Sequence, residues 1–215
     1  MFPHSEDHAK NEAQNPEQQA VHNPDIATVN KNFTDVRSEL IRSSLRSELG
    51  AFIQVIQYHE QRKCNKIVAF EAGTLRPLHD PEHHISKQYL NRHAVLLAIQ
   101  GILEENNASM GDGIKIFLQD ERYTQLDIDV LKKYGMTVVD GSHGSRMGFT
   151  LIDRDTLVVD FGLQSSVFPL LAEMARPVAI LRYEPLDKED YRDIPIHDFS
   201  LRHKGKEVIV PASCA

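Results

Sequence analysis

The spacing of apolar positions changes period along the chain. From Thr34 to about Arg62 they fall at Val36, Leu40, Ile41, Leu45, Leu49, Phe52, Ile53 and Ile56. Steps of three and four predict one amphipathic helix. Gly50 weakens that helix without having to break it. The opposite face, with Arg37, Glu39, Arg42, Arg46 and Glu48, reads as solvated. The apolar stripe is expected to pack on the domain that follows. Use of the stripe for assembly with another chain is the alternative.

From Lys66 onward the rhythm is one of short apolar runs. Lys66–Phe70 (KIVAF), Ile114–Leu118 (IKIFL), Thr137–Val139, Leu157–Phe161 (LVVDF) and Val178–Leu181 (VAIL) read as strands. Helical patterns separate them. One runs from about Lys87 to Glu105. A second runs from Thr124 to Tyr134, with Gly135 where a left-handed residue ends a helix. A third runs to Ala175, capped by Ser165 or Ser166 and carrying Pro169 in its first turn. Continuously apolar strands alternating with helices indicate a parallel sheet covered on both faces. The fold class is α/β: a Rossmann-like, doubly wound, mostly parallel five-stranded sheet with an N-terminal helix.

Composition divides the chain into segments. Residues 1–27 hold Glu6, Asp7, Glu12, Glu17 and Asp25 against Lys10, with few large aliphatics. This acidic tail cannot bury enough apolar area to offset ordering entropy and reads as disordered. Residues 28–65 form the amphipathic helix region, 66–183 the Rossmann-type domain and 184–215 a C-terminal extension. In that extension Asp187–Asp193 reads as loop and Glu207–Val210 as an edge strand.

Charge narrows the partners. Lys and Arg total 24 and Asp and Glu 31, for a net charge of −7. That balance argues against a grip on nucleic acid through its phosphates. The apolar runs are far shorter than the ~20 residues of a membrane span. Cys64 and Cys214 are the 2 cysteines and read as free thiols, which suits the cytoplasm or nucleus.

In an open parallel sheet, ligands bind beyond the carboxyl ends of the strands. After the first strand, Glu71, Gly73 and Thr74 are ligand-binding candidates. One glycine there does not make the dinucleotide pattern, and no Walker lysine follows, so NAD or ATP in the usual motif is not expected. After the second strand, Asp120 is a candidate acceptor for a ribose hydroxyl. Helix capping, or pairing with Arg122, explains it equally well. After the third, Asp140–Arg146 holds His143 between serines but no nucleophile elbow. After the fourth, Gly162, Gln164 and Ser165 lead into a helix N-terminus, which favours an anion. His93, Asp120 and Glu121, with Glu71 beside them, are the candidate acid/base groups. His79, His83 and His84 are weak candidates for a metal or haem, with no cysteine near.

The order of these motifs resembles a known family. KIVAFEAGTL (66–75), Asn91-Arg92-His93-Ala94, QDERYTQLDIDVLKKYGMTVVDG (119–141), TLVVDF (156–161) and ARPVAIL (175–181) are similar to successive pieces of the SRR1-like domain. Within the longest piece the matching positions are Gln119, Asp120, Tyr123, Asp127 or Asp129, Leu131 and Gly135. The resemblance covers roughly residues 60–183 and is to a divergent, fungal member. Two departures stand out. Glu71-Ala72 replaces part of a glycine-rich first turn. Asp160–Gln164 stands where the family often has a Met-Pro-His-Cys-like run. The resemblance implies the Rossmann-like fold and a regulatory module of circadian, haem-linked or stress type, binding a small ligand or a protein. The alternative is an enzyme of small-molecule, secondary metabolism, such as a transferase. That enzyme would use carboxylates and His93 at the strand ends.

Overall fold

The computed structural model describes residues 25–60, 64–76, 84–106, 113–139, 147–162, 175–183, 199–203 and 206–209. A 7-stranded sheet forms the centre, in the order β3-β2-β1-β4-β5-β6-β7. The strands are β1 Lys66–Phe70, β2 Lys115–Gln119, β3 Met136–Val138, β4 Thr156–Asp160, β5 Ala179–Tyr183, β6 Phe199–His203 and β7 Lys206–Ile209. Every pairing from β3 across to β5 is parallel. This is the expected doubly wound α/β sheet. The strand order reverses between β1 and β4, where Phe70 stands opposite Asp160. The C-terminal extension contributes more than one edge strand. β6 and β7 join the sheet as an antiparallel hairpin beside β5.

Alternate residues of the central strands feed two cores, as the pleat requires. Ile67, Ala69, Ile116, Leu118, Leu157, Val159 and Leu181 join the larger one. There they meet α3 (His84–Asn106) and α4 (Gln125–Lys133). Val68, Phe70 and Val158 join the smaller, with Ile152 and the partly buried Phe149 of α5 (Met147–Thr150). Phe70 and Phe149 stack with centroids 4.6 Å apart.

The N-terminal helix differs from its expectation in three ways. It begins at Ile26, so Asp25 to Ala27 are not part of a disordered tail. Asp25 caps it, accepting from the Thr28 N–H at 2.7 Å. It is two helices, α1 Ile26–Arg42 and α2 Leu45–Glu60. The break lies at Ser43 and Ser44 rather than at Gly50. Ser43 is extended, and its hydroxyl takes the Leu40 carbonyl at 2.7 Å, offering the backbone an alternative to helix. The buried stripe therefore resets: Val29, Phe33, Val36 and Leu40 on α1, then Leu45, Leu49, Phe52 and Ile53 on α2. Ile41, placed on the stripe from spacing, is 48% exposed. Both helices pack on α3, and α1 also reaches α4. Among the described residues no helix is long and apolar enough to cross a membrane. Residues 1–24, the stretch 165–174 where a helix is expected, and Asp187–Asp193 lie outside the described residues.

Candidate functional site

The tips of β1, β2 and β4 and the second turn of α3 converge at the point where strand order reverses. Glu71 follows β1 directly. Its backbone is left-handed, at φ 57°, which an L side chain rarely adopts. Three contacts hold it there. Its N–H donates to the Gln119 carbonyl at 3.1 Å, and its carbonyl accepts from Arg92 at 2.9 Å. Its Oε2 accepts from Arg122 at 3.1 Å, with the two side chains 37% and 39% exposed. Burial and the neighbouring Asp120 carboxylate hold the Glu71 pKa above the usual glutamate value, against the pull of Arg122.

Asp120 is buried and fully engaged. Arg122 forks onto it, Nε to Oδ1 at 2.8 Å and Nη2 to Oδ2 at 2.7 Å. Oδ1 also accepts the Arg122 N–H at 2.9 Å, and Oδ2 the Gly73 N–H at 2.7 Å. Burial alone would raise its pKa. The hydrogen bonds and charge of Arg122 outweigh that and hold it below the usual aspartate value. Bonding to Asp120 in turn keeps Arg122 protonated. Of the alternatives open for Asp120, the structure forms the Arg122 pair.

Gly73 and Thr74 serve internal partners. Gly73 is left-handed at φ 90°, and a Cβ on it would overlap the Tyr89 ring. Thr74 is buried and donates to Asp127, whose two oxygens lie 3.1 and 3.0 Å away. Asp127 also accepts from the N–H groups of Leu75 at 2.8 Å and Thr124 at 2.7 Å. It thereby pins the loop after β1 to the start of α4. The anion that Thr74 meets is thus the chain's own.

His93 is 0% exposed. Nδ1 lies 2.7 Å from the Tyr89 carbonyl and Nε2 2.8 Å from the Tyr123 hydroxyl. Burial pushes its pKa down to about 4 and pushes that of Tyr123 up. So enclosed, the imidazole joins α3 to Tyr123, just ahead of α4. Glu121 is exposed at the tip of β2. Gly162 is exposed beside Glu71, where a Cβ on it would come within 3.3 Å of the Glu71 Cβ. Its N–H donates to the buried Asp160 at 2.9 Å, and Asp160 pairs with Arg182 at 3.7 Å. Gln164, Ser165, His79, His83 and His143 lie outside the described residues, and His84 is the first residue of α3. Among the described residues no three His, Cys, Asp or Glu side chains gather as metal ligands.

Spacing pointed to the strand tips but not to the helix side of the site. Tyr89 and Arg92 stand three apart on α3, a pairing distance on a helix. The Arg92 guanidinium lies 5.1 Å from the Tyr89 ring centroid and 5.3 Å from that of Phe161. Arg122 lies 5.2 Å from the Tyr89 centroid and donates to its hydroxyl at 3.1 Å. Asp127 was legible as the third residue after a Thr cap, a capping-box spacing that the structure forms. No family model, curated protein or solved structure matches this chain.

Proposed function

We propose that this protein is a regulatory module that binds a small ligand in the crevice between the tips of β1 and β4. The observation that carries this reading is Glu71. It holds a strained left-handed backbone at the switch point, with a half-exposed carboxylate of raised pKa. Strain of this kind costs about 1–3 kcal/mol and collects at binding and catalytic sites. The resemblance of residues 66–75 and 119–141 to the SRR1-like domain supports a regulatory role. The cytoplasm or nucleus is the compartment this reading takes: the chain has 2 cysteines, and Cys64 is buried, its thiol pushed up to about 11 by burial.

A second reading, an enzyme of small-molecule metabolism, is favoured by that same carboxylate. With Asp120 bound by Arg122 and His93 enclosed, the acid/base role would pass to Glu71, aided by the exposed Glu121.

The experiment is native mass spectrometry of the full chain and of Glu71→Gln, each exposed to a cell-extract metabolite pool. A stoichiometric added mass on the wild type that is lost in the variant is the expected result. An added mass that survives Glu71→Gln overturns the site at Glu71, and no added mass at all overturns the ligand reading and leaves a protein partner. Time-resolved disappearance of the bound metabolite, with a new product, distinguishes the enzyme from the regulator.

A further inference from the structure

A diphosphate ligand in a Rossmann-like fold needs three things at the first turn. It needs an open approach to a glycine backbone, helix N–H groups at the strand tip, and an acidic acceptor after the second strand. Each of these is changed here. The ring of Tyr89 stands over Gly73 so closely that not even a methyl group would fit. Tyr89 is the sixth residue of α3, so the helix starts more than a turn before the residue that meets this turn. The acceptor, Asp120, is taken by Arg122 and by the Gly73 N–H itself. Tyr89 is held in place from two sides, by its hydroxyl bond to Arg122 and by the Arg92 guanidinium against its ring.

We infer that Tyr89 determines the ligand class of this crevice. Its ring takes the place of a diphosphate and confines the ligand to the Glu71–Gly162 side. That ligand is a small, phosphate-free compound that donates a hydrogen bond to Glu71. Among the described residues Oε2 of Glu71 receives Arg122, and Oε1 is the oxygen that meets the ligand. Four of the five Arg122 N–H bonds are directed to Asp120, Glu71 and Tyr89, so little remains to grip a phosphate. This inference rests on the ligand reading above but can fail separately from it.

The test uses ADP and inorganic pyrophosphate as probes, in calorimetric titrations of the full-length wild type, Tyr89→Phe and Tyr89→Ala. Wild type and Tyr89→Phe, which both keep the ring, are expected to show no binding at millimolar concentration. Tyr89→Ala is expected to bind ADP at least about tenfold more tightly than that limit. Binding of either probe by the wild type or by Tyr89→Phe overturns the inference, as does a folded Tyr89→Ala that binds neither. Should Tyr89→Ala not fold, Tyr89→Val, which clears the ring from over Gly73 while keeping some apolar side chain, takes its place under the same criteria. The loss or survival of the native added mass in Glu71→Gln is read independently. Failure of the ligand reading is therefore distinguishable from failure of this one.

Discussion

His93 lies at the centre of the molecule's acid sensitivity. Its folded pKa is about 4, against 6.5 for the ordinary side chain. Between these values the unfolded chain binds a proton that the folded chain refuses. Stability from this group is therefore full above about pH 6.5 and falls as pH drops toward 4, by about 3 kcal/mol in total. Asp120, with its lowered pKa, adds a loss at more acid pH, while the raised pKa of Glu71 acts in the opposite sense. His93→Gln keeps a partner for the Tyr123 hydroxyl but cannot protonate. Urea midpoints at about pH 7 and about pH 4.5 should differ much less in that variant than in the wild type. Equal pH dependence in both would remove His93 as the cause. Glu71 makes a second prediction. Glu71→Gly relieves a left-handed strain of about 1–2 kcal/mol but loosens the unfolded chain by about 0.5–1 kcal/mol. The loss of the half-exposed Arg122 pair adds little. The variant should be as stable as the wild type or up to about 1 kcal/mol more stable, and should retain no ligand. A clear fall in thermal midpoint would show that Glu71 supports the fold rather than a site.

Helices α1 and α2 show how element-scale packing overrides spacing. The apolar positions of the 34–62 stretch read as one helix, yet a serine pair divides it, and each half turns its own stripe inward. Phe33 of α1 is fully buried, edge-on to Tyr134 at 4.7 Å and to His93 at 6.3 Å. Phe33→Ala should cost about 3–5 kcal/mol by chemical denaturation, as for any core aromatic. A cost below 1 kcal/mol would mean that α1 is an appendage. The start of α4 makes a graded comparison. Thr124→Ala removes the cap and should cost about 1 kcal/mol. Asp127→Ala should cost more, about 3 kcal/mol, because it strands the buried donors of Thr74 and Leu75 together with the half-buried Thr124 N–H. If the two variants are equally mild, the loop after β1 is not anchored through Asp127, and the geometry of Glu71 and Gly73 has another cause.

At the scale of the whole molecule, the sheet is lengthened by a hairpin from the C-terminal extension. β6 pairs with β5 from Tyr183↔Phe199 to Ile180↔Arg202. Truncation after residue 184 removes that cover and leaves β5 as an open edge. Such an edge invites pairing between molecules. The truncated protein should scatter light at concentrations where the full chain does not. A truncated chain that stays monodisperse would show that the hairpin adds nothing to solubility.

Local and periodic features were legible in the order of residues. Runs such as KIVAF and TLVVD can be buried only on both faces, so a parallel α/β sheet followed from them. Gly135 at a helix end and Asp120 beside Arg122 were likewise legible, because both act between chain neighbours. Other features exist only after folding, because they join residues far apart in the chain. The order 3-2-1-4-5 sets the tips of β1 and β4 side by side. Tyr89 meets Gly73, Asp127 meets Thr74, and His93 meets Tyr123 across separations of 16, 53 and 30 residues. His93 looked like a catalytic candidate because imidazoles often are. Full burial among partners made it a core residue, and no one-dimensional pattern carries that burial. Glu71 drew attention by its place after β1. Its left-handed backbone appears only once Gln119, Arg92 and Arg122 close around it.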